Sequence, residues 1–131
     1  MSIAIVAFYA GLNGLLALVL AINVVRLRAQ TKTDLGHGGH RVLEQAQRAH
    51  GNLIEYVPII LLLLLLLAMT GLAAAWLHAL GIALTAARLL HAWGLLGSPG
   101  ASVGRLAGAT LTFLTMLAAA ILAIIQGAAA L

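Results

Sequence analysis

Cysteine is missing from all 131 positions, which removes disulfides, thiolate metal sites and a protein-borne sulfur nucleophile from consideration. Any sulfur chemistry must arrive with a bound substrate. Charge is nearly as scarce, at 8% of the residues against 63% hydrophobic. A soluble domain of this size has too little interior to hide so much apolar surface, so the sequence describes an integral membrane protein. No basic stretch precedes the first apolar segment, and the expectation is a retained helix rather than a cleaved leader.

Four apolar stretches are separable: Ile3 to Val25, Leu53 to Ala75, Trp76 to Leu96, and Leu106 to Leu131, the last without a single charge. At about 1.5 Å per residue each can cross a hydrocarbon core of roughly 30 Å with some tilt. The expected fold is an all-α, integral membrane four-helix bundle forming one domain over residues 1–131. Trp76 and Trp93 fall about 26 Å apart on a helix, which suits two interfacial belts. Val42 to Ala49 has helical spacing and is expected to extend the second helix out of the membrane. Gly36, Gly38 and Gly39 loosen the loop before it.

A formal charge of +4 would suggest nucleic acid in a soluble protein. Here five of the seven basic residues, Arg26, Arg28, Lys32, Arg41 and Arg48, follow the first apolar segment. That is a positive-inside pattern, and no nucleic-acid partner is expected. It places the loop at 26–48 in the cytoplasm together with the connection near Ser98, Pro99 and Gly100. Both termini are then non-cytoplasmic.

The polar residues concentrate at the mouth of the longest apolar run, in R-A-H-G-N-L-I-E-Y-V-P from Arg48 to Pro58. Arg48, Asn52, Glu55 and Tyr56 stand at i, i+4, i+7 and i+8 and share one helical stripe. Arginine offers a planar fork for carboxylates, asparagine both a donor and an acceptor, glutamate an acceptor for ammonium or amide groups, and the tyrosine hydroxyl either role. Such a set suits a zwitterionic, peptide-like ligand better than a lipid tail. Its bland counterpart is a helix-knitting role in which Arg48 and Glu55 pair with each other or with Arg88. Polar groups at a membrane boundary favour the functional reading.

Other residues carry weaker signals. Pro58 removes one backbone hydrogen bond and can kink the helix. His37 and His40 flank two glycines without a third ligand, too little for a metal site, and none is expected. His78 sits beside Trp76 at the outer interface. Asn13, Asn23, Thr110, Thr112 and Thr115 suit interhelical hydrogen bonds, and Gly104 with Gly108 suits close helix packing.

The segment Glu44 to Pro58 resembles the signature of the MAPEG family, the membrane-associated proteins in eicosanoid and glutathione metabolism; its core R-A-x-x-N-x-x-E-Y-x-P is matched in full. The similarity extends to length, helix number, A-R-L-L-H-A-W-G at Ala87 to Gly94, and a basic residue opening the last helix. It implies a homotrimer holding glutathione as co-substrate between subunits near the cytoplasmic face. By position, Arg48, Asn52, Glu55 and Tyr56 would bind it, His50 would reach it from the neighbouring chain, Arg88 matches a basic residue of the third helix, and Arg105 would be the catalytic arginine that stabilises the thiolate. His91 stands where the leukotriene-forming synthases carry a ligand tyrosine, and Leu95 replaces a second tyrosine one turn later.

The expected activity is that of a bacterial inner-membrane glutathione transferase or peroxidase of the detoxification type. Membrane lipid surrounds it, and hydrophobic electrophiles or lipid hydroperoxides are its substrates. The rival is a non-catalytic lipid-binding or scaffold protein of the same fold. A small transporter is disfavoured, because the sequence has neither inverted repeats nor a chain of charges through the bilayer centre.

Overall fold

Among the residues described by the computed structural model, 2–98 and 100–131, there are four helices and no strand. They are α1 (Ser2–Thr31), α2 (Arg41–Met69), α3 (Ala74–Gly97) and α4 (Val103–Ala129). All four are long and apolar enough to cross a membrane. The protein is an all-α integral membrane protein, and Val42 to Ala49 does extend α2. Pro99, in the expected connection between α3 and α4, lies outside the described residues.

Where helix ends depart from the apolar stretches, local chemistry explains the shift. The first helix continues past Val25 to Thr31. There Lys32 turns left-handed (φ 51°), and Arg28 Nη1 donates to the carbonyls of Thr33, Asp34 and Gly36 at 3.2, 2.9 and 3.1 Å. The second helix stops at Met69 rather than Ala75, because Gly71 adopts φ 88° and the Leu72 N–H closes back on Leu67 O at 2.9 Å, a Schellman-type end that only glycine takes without strain. The fourth helix starts at Val103, three residues early. Ser102 Oγ accepts from Arg105 N at 3.2 Å and donates to Gly94 O at 2.9 Å, so one side chain caps α4 and pins it to α3.

The helices α2 and α3 form the centre; α1 packs on both from one side and α4 on both from the other, and α1 does not touch α4. Leu53, Ile60, Leu64 and Leu67 of α2 meet Leu77 and Leu84 of α3 in the core. Glycine lets α4 approach α3 closely: a Cβ on Gly108 would stand 2.5 Å from His91 N and 2.6 Å from Ala87 O, backbone atoms that cannot swing aside. Asn13 does bond across helices, to Thr85 Oγ1 at 3.0 Å, and His78 Nδ1 pairs with Tyr9 Oη at 2.9 Å. Asn23 corrects its expectation by accepting from Arg26 of its own helix at 2.9 Å. Thr115 likewise donates back to Leu111 O at 2.8 Å.

Depth follows from helix length. A core of roughly 30 Å counted back from Met69 takes about 20 residues and reaches Ala49. Arg48 therefore stands at the boundary, with Asn52, Glu55 and Tyr56 one or two turns inside it. The helix runs unbroken through Pro58.

Candidate functional site

Arg105 is the residue where two clefts meet. It stands in the first turn of α4, behind the Ser102 cap, and a cation there opposes the helix dipole. A helix built only for stability would place an acid at this point. The first cleft, about 690 Å³, is bounded by Asn52, His91 and Arg105 and by an apolar wall of Ala101, Val103, Leu106 and Ala109. The second, about 530 Å³, is lined by Arg41, Glu44, Gln45, Arg48, Leu95, Gly100 and Arg105. Three guanidinium groups face one carboxylate there, leaving an excess of positive charge. Gln45 Nε2 donates to Leu95 O at 3.0 Å and ties the floor of the charged cleft to α3.

Behind the apolar cleft lies Arg88, 1% exposed. Its guanidinium joins three helices. One nitrogen, Nη2, donates to Asn52 Oδ1 of α2 at 2.7 Å and lies 3.1 Å from His91 Nδ1 of α3; Nη1 donates to Thr112 Oγ1 of α4 at 3.1 Å. Thr112 in turn donates to Gly108 O at 2.7 Å. Burying a cation is costly unless its donors are engaged, and this arrangement fixes two residues of the cleft wall, Asn52 and His91. Arg88 thus meets the cleft through Asn52 and His91 and takes Asn52, not Glu55, as its partner.

The predicted stripe on α2 divides in two. Asn52 and Tyr56 turn toward the bundle, Asn52 to Arg88 and Tyr56 to an edge-on contact with Phe113 at 5.3 Å. Arg48 and Glu55 are exposed on the single chain, and His50 is half-buried. With about 100° between successive residues, Glu55 stands opposite the buried line of Leu53, Val57 and Leu64. The structure therefore brings Asn52, His91 and Arg105 together in one cleft and Arg48 and Arg105 in the other. Glu55, Tyr56 and His50 line neither. Arg41, Glu44 and Gln45 were not anticipated as site residues; the basic character of Arg41 had been absorbed into the topology signal. Thr112 does make the interhelical hydrogen bond expected of it, accepting from Arg88 of α3, though nothing in its spacing names that partner.

Residues 6–125 match the model of the MAPEG family. The chain belongs to that family. Among curated proteins, the Inner membrane protein YecN of Escherichia coli strain K12 is 43% identical over 88 residues, which is 67% of this chain and 67% of that protein. The protein of the same name from Escherichia coli O6:H1 strain CFT073 is similar to the same extent. Within this MAPEG chain the signature residues Arg48, Asn52, Glu55 and Tyr56 all lie on α2, at the membrane boundary or just inside it, and Arg105 opens α4 at the same end of the bundle.

Proposed function

We propose that the protein is an inner-membrane glutathione transferase that acts as a homotrimer, joining the glutathione sulfur to hydrophobic electrophiles. The observation that carries this reading is that one guanidinium, Arg105, forms a wall of both a charged cleft and an apolar cleft. Glutathione carries two carboxylates and one ammonium, which suits three arginines and a glutamate. A hydrophobic acceptor suits Val103, Leu106 and Ala109. The sulfur must sit where the two meet. A thiol of pKa about 8.5 is mostly protonated at neutral pH, and an adjacent guanidinium favours its thiolate. The sulfur then attacks the acceptor's electrophilic atom; a C–S bond forms, and the displaced electron pair leaves with the halide or oxygen.

Glu55 supports the assembly. An exposed carboxylate just inside a hydrocarbon boundary is expensive, and a neighbouring copy covering that face would shelter it and bring His50 toward the site. The inner-membrane assignment draws on the name of the curated relative, and the orientation draws on the basic residues between α1 and α2. In this cysteine-free chain, single cysteines at Ser2, Gly38, Ala101 and Leu131 should react with an impermeant thiol reagent from the cytoplasm only at Gly38 and Ala101. Cytoplasmic labelling at Ser2 or Leu131 reverses the topology.

The two-cleft arrangement makes a direct prediction for S-alkyl glutathiones, which join both chemistries in one molecule. Each methylene buried against the apolar wall is worth about 0.8 kcal/mol, or about fourfold in affinity. Affinity measured calorimetrically on purified protein should therefore rise steadily from S-methyl to S-hexyl glutathione. Equal affinity along the series would mean that no apolar cleft adjoins the sulfur. Glutathione itself, should it bind without ionisation of its thiol, would instead favour the scaffold role.

A further inference from the structure

His91 holds its proton on a defined nitrogen. Its Nδ1 lies 3.1 Å from Arg88 Nη2, and a guanidinium has only donors to offer. The contact therefore requires Nδ1 to accept, which puts the single proton of the ring on Nε2. Flipping the tautomer would set N–H against N–H. Among the described residues, the buried side-chain nitrogen and oxygen atoms without a partner are Asn13 Oδ1 and Arg88 Nε. His91 Nε2 is not one of them, and no described group satisfies it. The ring lines the apolar cleft with Asn52 and Arg105 and is absent from the lining of the charged one. Nε2–H is thus a fixed donor on the side of the hydrophobic acceptor.

We propose, building on the transferase reading, that His91 is a further catalytic residue whose Nε2–H donates a hydrogen bond to an oxygen of the acceptor, making epoxides and conjugated carbonyls the favoured substrate class. For an epoxide, the glutathione thiolate attacks carbon, the C–S bond forms and the C–O bond breaks. The electron pair passes to oxygen, where His91 stabilises the alkoxide until water protonates it. The imidazole keeps its own proton throughout, acting as a preorganised dipole of the kind that is most effective where water is scarce. An acceptor that expels a halide develops no charge on oxygen and gains nothing from this donor.

The test compares styrene oxide with benzyl chloride, similar in size and both reactive at a benzylic carbon, using glutathione as co-substrate. His91→Asn keeps an acceptor for Arg88 but loses the donor into the cleft; His91→Gln extends an amide N–H to the position of Nε2. With His91→Asn, turnover of styrene oxide should fall roughly 10- to 100-fold further than that of benzyl chloride, the range for losing one hydrogen bond to a charged group. His91→Gln should recover part of the epoxide activity. Parallel losses on both substrates would make His91 a structural residue, and unchanged epoxide turnover would remove the donor role; either overturns the proposal. Wild-type protein that conjugates benzyl chloride but not styrene oxide also overturns it while leaving the transferase reading standing. Failure to conjugate either acceptor overturns both.

Discussion

Arg105→Ala is expected to lower conjugation at pH 7 by roughly tenfold while glutathione binding changes far less. The size follows from the thiol. Unassisted, with a pKa of about 8.5, it is only about 3% ionised at pH 7, so losing the guanidinium forfeits at most about thirtyfold. A low-pKa thiolate is also a weaker nucleophile, which trims the loss. The sign with pH is fixed by the same reasoning: Arg105 depresses the bound thiol's pKa, so its benefit exists only where the unassisted thiol is still protonated. By pH 9 that thiol is about three-quarters ionised, and the deficit of the variant should shrink to less than about twofold. Arg105→Lys should retain part of the activity, because a point charge favours the thiolate without the planar fork. Initial rates of Arg105→Ala equal to wild type across this pH range would exclude Arg105 from the chemistry.

Removing the Arg88 guanidinium should separate stability from function. Arg88→Ala leaves Asn52 Oδ1, His91 Nδ1 and Thr112 Oγ1 without their donor and opens a cavity among three helices. Unsatisfied buried groups cost about 1–3 kcal/mol each and the cavity adds to that, so a loss of about 3 kcal/mol or more is expected, read as a lower unfolding temperature in detergent. Arg88→Met fills the space and should recover the cavity part of that loss, while the three acceptors stay without a donor. Activity should stay low in Arg88→Met, because Asn52 and His91 are then free to leave the geometry that Arg88 imposes. Full activity in Arg88→Met would show that the network holds the helices and nothing more.

The membrane class and the four helices were legible because hydrocarbon thickness imposes a length that an apolar run either meets or does not. The extension of α2 was equally readable, since Val42 to Ala49 keeps a helical period outside the bilayer. Periodicity grouped Arg48, Asn52, Glu55 and Tyr56 on one helix but could not say that the bundle's edge would fall between them. That edge sends Asn52 inward and Glu55 outward. Arg88 was recognisable as a costly charge, yet its partners lie 36 and 24 residues away at Asn52 and Thr112, separations that no local pattern encodes. Asn23 shows the converse: an arginine three residues on satisfies it within α1 before any other helix can. The cap at Ser102 was available as a serine ahead of an apolar run, and it is what puts Arg105 in the first turn of α4 rather than in a loop.

The ionisation state of bound glutathione tests the central claim most directly. Thiolate absorbance recorded while purified wild-type protein is titrated with glutathione, repeated from about pH 6 to pH 9, should show the bound thiol ionising one to three units below its free value of about 8.5, the range for a cation placed beside an acid. Bound glutathione that ionises only where the free thiol does, or no binding at all, would contradict the assignment of this site to thiolate chemistry.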